Sequence, residues 1–127
     1  MQKDIDIIIY GATGFTGQLC VKYFQSLNTG VNWAIAGRDQ EKLQKVASDN
    51  SIDVEILIAD SDDEAALDIL TSRAKVILST TGPFHRYGSK LVASCVKNSA
   101  NYVDITGENF WVKGLIAKHH EEASAKG

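Results

Sequence analysis

Short apolar runs alternate with amphipathic stretches along this 127-residue chain, and that alternation constrains the fold more than any other feature. The runs are rich in Ile, Val, Leu and Ala, as expected of strands that are buried on both faces. Between them, apolar residues recur at the helical period of about 3.6. This pattern is typical of a parallel sheet covered by helices. Strands are predicted near Ile5–Tyr10, Trp33–Ala36, Val54–Ala59, Val76–Ser79 and Tyr102–Ile105.

The alternation predicts an α/β fold, namely a doubly wound parallel sheet of the Rossmann type. We expect about five strands in the order 3-2-1-4-5, with helices on both faces. The 127 residues fit one domain, since a compact domain typically has roughly 100–150 residues. Ser61 followed by Glu64 matches a capping box and predicts that the third helix begins directly after Asp60. Other helices are predicted to end at the polar residues 28–30 and 98–101.

The last helix is predicted to run to about Ser124, close to the final residue, Gly127. A doubly wound sheet commonly continues at that point with a sixth strand. We therefore expect residues 1–127 to be a nucleotide-binding domain that forms the N-terminal part of a longer protein. A complete five-stranded domain is the alternative.

Charge and composition argue against several classes of protein. The chain has 13 Lys and Arg against 16 Asp and Glu, with no basic run, so nucleic acid is not a predicted partner. The apolar run at residues 7–10 is too short to span a bilayer, and Asp4 and Asp6 interrupt any signal-peptide core. These features predict a cytoplasmic protein without a membrane span.

The cysteines and the paired histidines do not suggest chemistry. Cys20 and Cys95 are far apart and lie among helix-like residues, which predicts two buried structural thiols. His119 and His120 would point about 100° apart on a helix, so no metal site is predicted. We expect the chemistry at the turns that follow the strands.

The strongest local signal is the glycine-rich turn after the first predicted strand. Residues 11–17 read GATGFTG, have the spacing GxxGxxG, and open an amphipathic helix. The first glycine permits the tight turn, the second lets the backbone approach a pyrophosphate, and the third lets the helix pack close to the strand. Free N–H groups at the helix start favour negative charge. Glycine also serves such turns for structural reasons alone. The predicted cofactor-binding residues here are Gly11, Thr13, Gly14, Phe15, Thr16 and Gly17.

The end of the second strand indicates which dinucleotide is bound. Arg38 lies where NAD-binding proteins place an acidic residue on the ribose 2′-hydroxyl. A guanidinium binds a phosphate well and offers a hydroxyl no acceptor, so NADP(H) is favoured. Lys42 is either a second cation for the 2′-phosphate or a solvated surface lysine. Asp39 is interpreted as the N-cap of the second helix, with a ribose contact as the alternative.

Two further loops lie on the same predicted edge. Asp60 ends the third strand, where it either accepts from an adenine amino group or favours the dipole of the following helix. The loop after the fourth strand has small residues and a rigid turn but no acid or base. At the topological switch point it suits backbone contact with the nicotinamide side of the cofactor. Its predicted contact residues are Thr81, Gly82, Pro83 and Phe84.

Three residues are candidates for the substrate side. Tyr87 belongs to the titratable cluster His85-Arg86-Tyr87 close to this edge. Asp104 and Glu108 follow the fifth strand, at the edge where open α/β sheets bind their ligands. Capping and dipole compensation for the last helix are the alternative role of these two carboxylates. The sequence assigns no catalytic residue.

Four groups of residues, taken in order, cover nearly the whole chain and resemble one family. They are GATGFTG at 11–17, AGRD at 36–39 with KL at 42–43, GPF at 82–84 with YG at 87–88, and YVDITGE at 102–108. In them the sequence resembles the saccharopine dehydrogenase-like oxidoreductases, which include saccharopine reductases and trans-acting enoyl reductases. The resemblance implies NADP(H), hydride transfer and a second domain after the nucleotide-binding one. It implies that a small-molecule substrate binds through the missing domain. The short loops after the strands supply only half of a crevice, which predicts that this part is inactive alone. Homo-oligomerisation stays open.

Two other functions stay open beside this one. A short-chain dehydrogenase shares the GxxGxxG turn but needs a Tyr-x-x-x-Lys pair, and none of the four tyrosines has a lysine four residues later. A non-catalytic redox sensor would bind NADP and regulate a partner through its surface. The sequence does not exclude the sensor.

Overall fold

The computed structural model describes residues 3–27 and 29–127, and it confirms the alternation of strands and helices. The five predicted strands are present, with boundaries close to those expected from the sequence. The elements are β1 (Ile5–Tyr10), α1 (Phe15–Ser26), β2 (Trp33–Gly37), α2 (Gln40–Asp49), β3 (Glu55–Ile58), α3 (Glu64–Arg73), β4 (Ala74–Ser79), α4 (Phe84–Tyr87), α5 (Ser89–Lys97), β5 (Asn101–Asp104) and α6 (Asn109–Lys126).

The strands form one parallel sheet in the predicted order, β3-β2-β1-β4-β5. In the central strand β1, Ile9 pairs with Ile35 of β2 on one side and with Leu78 of β4 on the other. Because all neighbouring pairs are parallel, the carboxyl ends of the strands meet at one edge. The chain leaves β1 and β4 toward opposite faces of the sheet, and such a switch point opens a crevice between the two strands.

Helices cover both faces of this sheet through their apolar sides. On one face, α1 and α2 bury Val21 and Leu43 against Ile9. On the other, α3 and α5 contribute Leu67 and Leu91 to a second cluster. The β-strands thus read as continuous apolar runs because both of their faces are inside.

The two cysteines differ in burial. Cys95 of α5 is buried, and that burial raises the pKa of its thiol to about 12. Cys20 is only partly buried, because it lies on the flank of α1 beside the fully buried Val21. Both are free thiols. The prediction of two buried thiols is therefore correct for Cys95 and wrong for Cys20.

Aspartates begin two of the helices. The Asp39 carboxylate accepts a hydrogen bond from the Lys42 N–H at 3.1 Å, which confirms Asp39 as the N-cap of α2. Asp63 caps α3 in the same way, accepting from the Ala66 N–H at 3.0 Å. Each cap satisfies one of the N–H groups that a helix start leaves unpaired.

The predicted capping box of Ser61 and Glu64 is wrong. The segment after β3 first makes a tight turn, in which the Asp60 carboxylate accepts from the Asp62 N–H at 2.9 Å. The Asp60 carbonyl also accepts from the Asp63 N–H at 3.0 Å. This turn delays the helix, which therefore begins at Glu64 rather than directly after Asp60.

The helix ends predicted at polar residues are confirmed on the described part of the chain. α1 ends at Ser26 and α5 ends at Lys97, shortly before the polar segments 28–30 and 98–101. Asn28, the first residue of the earlier segment, lies outside the described residues. Within the described residues, no helix combines the length and the apolar character that crossing a membrane requires.

Candidate dinucleotide-binding site

The carboxyl edge of the sheet contains a pocket of about 290 Å³. It lies at the switch point between β1 and β4, where open α/β sheets bind their ligands. Four segments contribute to it: the turn after β1, the end of β2, the segment after β3 and the loop after β4. The lining residues are Tyr10, Gly11, Thr13, Gly14, Gly37, Arg38, Ser61, Thr80, Thr81, Gly82 and Tyr87.

Two glycines of the turn after β1 are required by the fold itself. Gly11 has a φ of +90°, and a Cβ there would lie 2.2 Å from the Thr81 hydroxyl oxygen. A Cβ on Gly17 would lie 2.0 Å from the Gly11 carbonyl oxygen, so α1 packs against the turn only because this residue has no side chain. The structural roles predicted for Gly11 and Gly17 are confirmed.

Gly14 differs from these two glycines. Its φ is −75°, which any residue adopts, and a Cβ there would meet nothing closer than the Gly11 carbonyl oxygen at 3.6 Å. No contact within the fold therefore requires glycine at this position. The residue borders the pocket, so a side chain here would project into space that a ligand could use.

The start of α1 is open toward a ligand. Gly14 is its N-cap, no side chain caps the helix, and its first turn has no acidic residue. The N–H groups of Phe15, Thr16 and Gly17 therefore have no acceptor in the regular helix pattern. Unpaired N–H groups and the positive end of the helix dipole attract an anion. This end of α1 has the chemistry of a phosphate site.

A buried hydroxyl supports a ligand in the same pocket. Thr81 Oγ1 is buried and has no hydrogen-bond partner among the described residues. Its neighbour Thr80 is different, since the Thr80 hydroxyl donates to the carbonyl oxygens of Tyr10 or Gly11 at 3.2–3.3 Å. A buried polar group without a partner costs about 1–3 kcal/mol. A ligand oxygen or nitrogen at the pocket wall would remove that cost, so the residues present fit a dinucleotide.

Arg38 provides the positive charge of the pocket. Its side chain is exposed at the pocket wall, and the ion pairs within the described residues do not involve it. Lys42 is exposed on the first turn of α2 and does not line the pocket. The Asp39 carboxylate caps α2 through its Oδ1 oxygen.

The pocket lining includes four residues that the predicted site lacks, namely Tyr10, Gly37, Ser61 and Thr80. Ser61 lines the pocket where Asp60 was predicted, while the Asp60 carboxylate closes its own turn. Tyr10, the last residue of β1, lines the pocket and donates its hydroxyl to the Ala59 carbonyl at 3.0 Å. Burial raises the pKa of Tyr10 to about 12, so its phenol is uncharged where it lines the pocket. An aromatic ring directly before a glycine turn was the available signal for Tyr10.

The loop after β4 divides its residues between the pocket and the core. Thr81 and Gly82 line the pocket. Pro83 is exposed and precedes α4. The Phe84 side chain is buried against Trp111, with ring centroids 6.0 Å apart, and so faces away from the pocket. Tyr87, at the end of α4, returns to the pocket wall.

Glu108 has an unexpected partner. It precedes α6, yet its carboxylate makes no capping bond to that helix. It accepts instead from the N–H groups of Phe84 at 2.7 Å and His85 at 3.1 Å, and it contacts the His85 ring. Burial alone would raise the pKa of Glu108, but these donors outweigh it and lower the pKa. The alternative role of capping the last helix is therefore wrong for Glu108.

Asp104 does not cap the last helix either. Its carboxylate accepts from the Tyr102 hydroxyl at 2.7 Å and from the Thr106 N–H at 2.9 Å. These bonds close the turn that leads from β5 toward Glu108. Burial and the Asp104 carboxylate raise the pKa of Tyr102, so the phenol stays a donor in this turn. Asp104 thus shapes the loop that holds Glu108.

Comparisons with known proteins agree with this geometry. The model of the family described as "Saccharopine dehydrogenase NADP binding domain" matches residues 7–127. A trans-acting enoyl reductase of Mycobacterium leprae (strain TN) is 36% identical over 99% of this chain. A lipid droplet localized protein of Caenorhabditis elegans is 35% identical over 96% of it. The chain spans about a third of the length of these relatives, 31% in each case.

A solved structure shows the same fold. Apo histidine-tagged saccharopine dehydrogenase (L-Glu forming) from Saccharomyces cerevisiae matches with a TM-score of 0.70 and 18% identity. The match covers 87% of this chain and 24% of that one. At this identity the likeness is one of fold, and it places the same Rossmann-type architecture in a dehydrogenase.

Proposed function

This chain belongs to the saccharopine dehydrogenase NADP binding domain family, as its motifs predicted, and we propose that it orients NADP(H) for hydride transfer within an oxidoreductase. The observation that carries the proposal is the open start of α1 beside a buried, unpartnered hydroxyl. Gly14 leaves room there for a pyrophosphate, and Thr81 lacks the polar partner that a bound ligand would supply. NADP(H) is the cofactor of this family, and both features suit it.

The proposed contacts follow the walls of the pocket. Of the segment from Thr13 to Thr16, the N–H groups of Thr13, Phe15 and Thr16 hold the pyrophosphate, while the Gly14 N–H donates to the Gly11 carbonyl at 3.2 Å. Arg38 pairs with the ribose 2′-phosphate. Thr81 and Gly82 meet the nicotinamide side at the end of β4. Asp60 or its neighbour Ser61 faces the adenine. Lys42 adds a second cation near the 2′-phosphate, at longer range than Arg38.

The reaction class comes from the family. The reduced nicotinamide supplies a hydride when it is bound, and the protein provides binding, orientation and a dry environment. Relatives about three times as long include proteins named as enoyl reductases. We therefore propose that residues 1–127 are the cofactor-binding domain of a longer NADP-dependent oxidoreductase, in which another domain binds a small-molecule substrate. Substrate-side residues of this chain are Tyr87 and the Asp104–Glu108 loop.

Isothermal titration calorimetry of the chain with NADPH and NADH tests the cofactor assignment. We expect NADPH to bind ten- to hundredfold more tightly, because a charged hydrogen bond to the 2′-phosphate contributes roughly 1.5–3 kcal/mol. Arg38→Ala should remove most of this preference. Lys45→Ala is the matched control, since it removes an exposed α2 cation that pairs with Asp49 and does not line the pocket. Equal affinities of the wild-type chain for both cofactors would refute the role of Arg38.

A further inference from the structure

One carboxylate joins two loops at the edge of the pocket. Glu108 belongs to the segment between β5 and α6, and its two oxygens accept from the consecutive N–H groups of Phe84 and His85. It also contacts the His85 ring and accepts from the Thr106 hydroxyl at 3.4 Å. Hydrogen bonds to an ionised acceptor are stronger than neutral ones. Glu108 therefore fixes the backbone at the start of α4.

α4 depends on this support. It has four residues, too few to be stable as an isolated helix, and Pro83 provides no side-chain cap. Beyond its own turn, it is held by the Glu108 carboxylate and by the packing of Phe84 on Trp111. Phe84 fixes the buried side of the turn. Glu108 fixes the side near the pocket edge.

The segment that Glu108 holds has pocket residues on both ends. Thr81 and Gly82 precede it, and Tyr87 ends it. Tyr87 lies under the Arg86 guanidinium, 5.8 Å from the ring centroid. Among the described residues, the Thr81 hydroxyl is buried without a hydrogen-bond partner, whereas Tyr87 is partly buried and lines the pocket. A buried, unpartnered hydroxyl and a pocket-lining tyrosine thus lie on either side of the turn that Glu108 anchors.

We propose that Glu108 is a positioning residue for the nicotinamide half of the cofactor, acting through α4 and the Tyr87 hydroxyl. The inference rests on the proposed function. Glu108 lies outside the glycine turn and the end of β2, the two segments assigned to the phosphates. Its loss should therefore weaken contacts with the nicotinamide half and leave contacts with the adenosine half intact.

Two ligands separate these halves in calorimetry of the 127-residue chain. NADPH contains both halves, whereas 2′,5′-ADP contains the adenosine half with its 2′-phosphate and no nicotinamide. We expect Glu108→Gln to weaken NADPH binding about tenfold, the effect of one charge-assisted hydrogen bond, and to leave 2′,5′-ADP binding unchanged. Tyr87→Phe should show the same selective loss. Glu122→Gln, which removes an α6 carboxylate paired with Lys126, should change neither affinity.

A selective loss of NADPH affinity in both variants supports the positioning role. Unchanged NADPH affinity in a folded Glu108→Gln variant overturns the proposal, and so does an equal loss for both ligands, which indicates a general structural role. If Glu108→Gln fails to fold, Tyr87→Phe decides, because it removes only the hydroxyl of a partly buried residue and should fold normally. Unchanged NADPH affinity in Tyr87→Phe overturns the proposal. The wild-type chain tests the proposed function independently of the variants. Binding of both NADPH and 2′,5′-ADP by the wild-type chain supports that function, and binding of neither ligand refutes it.

Discussion

The starts of α1 and α2 lie at the same edge of the sheet but are built differently. α2 begins at an aspartate whose carboxylate accepts from the Lys42 N–H, so the helix satisfies its own first turn. α1 begins at Gly14, with no capping side chain and no acidic residue in its first turn. α3, capped by Asp63, is built like α2. Among α1, α2 and α3, the helix that borders the cofactor pocket along its glycine turn is the one without a capping side chain.

The chain separates stability from binding at these two helix starts. A capping side chain at a helix start contributes about 1 kcal/mol to folding. It also occupies an N–H group that could otherwise bind a ligand. An open start loses that contribution and retains N–H groups and a positive dipole end for an anion. The sequence encodes the choice in one residue, Asp39 before α2 and Gly14 before α1.

Gly14→Asp would remove the difference between the two helix starts, because it gives α1 a capping side chain like that of α2. We expect NADPH affinity to fall more than about hundredfold, because the carboxylate would occupy the pyrophosphate position and repel it. The fold should persist, since a Cβ at Gly14 meets nothing closer than 3.6 Å. The free energy of unfolding should be unchanged or higher by up to about 1 kcal/mol. Calorimetry and urea denaturation measure the two effects.

Gly14→Ala is the control for that substitution. It adds a Cβ without a charge, so the fold should be kept and NADPH binding should fall less than with aspartate. Near wild-type binding by Gly14→Asp would show that the start of α1 does not hold the pyrophosphate.

Asp39→Ala tests the capped helix start, because it removes the capping side chain of α2. Loss of the cap should lower the free energy of unfolding by about 1 kcal/mol. NADPH affinity should change little, because the Asp39 carboxylate is engaged with α2. Asp63→Ala, at the start of α3, should show a similar loss of stability. A large loss of NADPH affinity in Asp39→Ala would instead support the ribose contact that was the alternative for this residue.

The amino edge of the sheet lies opposite the pocket. Its charged residues form ion pairs that stabilise the fold. Hydrogen bonds from the Arg73 guanidinium lower the pKa of Asp4 and of Glu55. Because these pKa values are lower in the folded state, the pairs stabilise the fold above the ordinary carboxyl range near pH 4 and cease to do so as the pH falls through the lowered values. These groups are largely exposed, so the effect is small.

Arg73→Gln therefore should lower the melting temperature by a few degrees at pH 7, and the difference from wild type should shrink as the pH falls below the ordinary carboxyl range and through the lowered pKa values. Thermal unfolding at a series of pH values measures this dependence. Cofactor affinity at pH 7 should be the same in both proteins. A melting difference that stays constant down to acid pH would mean that Arg73 acts through packing rather than through its carboxylate partners.

The sequence was sufficient for what depends on local pattern. Apolar periodicity identified the strands and their order, and the glycine spacing identified the turn and the roles of Gly11 and Gly17. It failed where long-range contacts decide. Ser61 and Glu64 have the spacing of a cap, but the turn closed by Asp60 displaced the helix start.

Glu108 shows the same limit at the candidate site. Its position before the last helix indicated a cap for that helix, while its carboxylate reaches a turn 24 residues earlier in the chain. Only the pairing of β4 with β5, which brings the two loops together, creates that contact. Phe84 was likewise predicted from the sequence to line the cofactor site, yet its ring packs in the core beside Trp111.

We infer that the open start of α1 binds the cofactor and that the capped start of α2 serves the fold. Amide chemical-shift mapping by ¹H–¹⁵N NMR, with NADPH titrated into the 127-residue chain, tests it directly. We predict that the largest shifts occur at Phe15–Gly17 and at Thr81 and Gly82, and that they exceed those of Gln40–Lys42 in the first turn of α2. Shifts at the first turn of α2 as large as those of α1, or no shifts at Phe15–Gly17 with NADPH bound, would contradict the account.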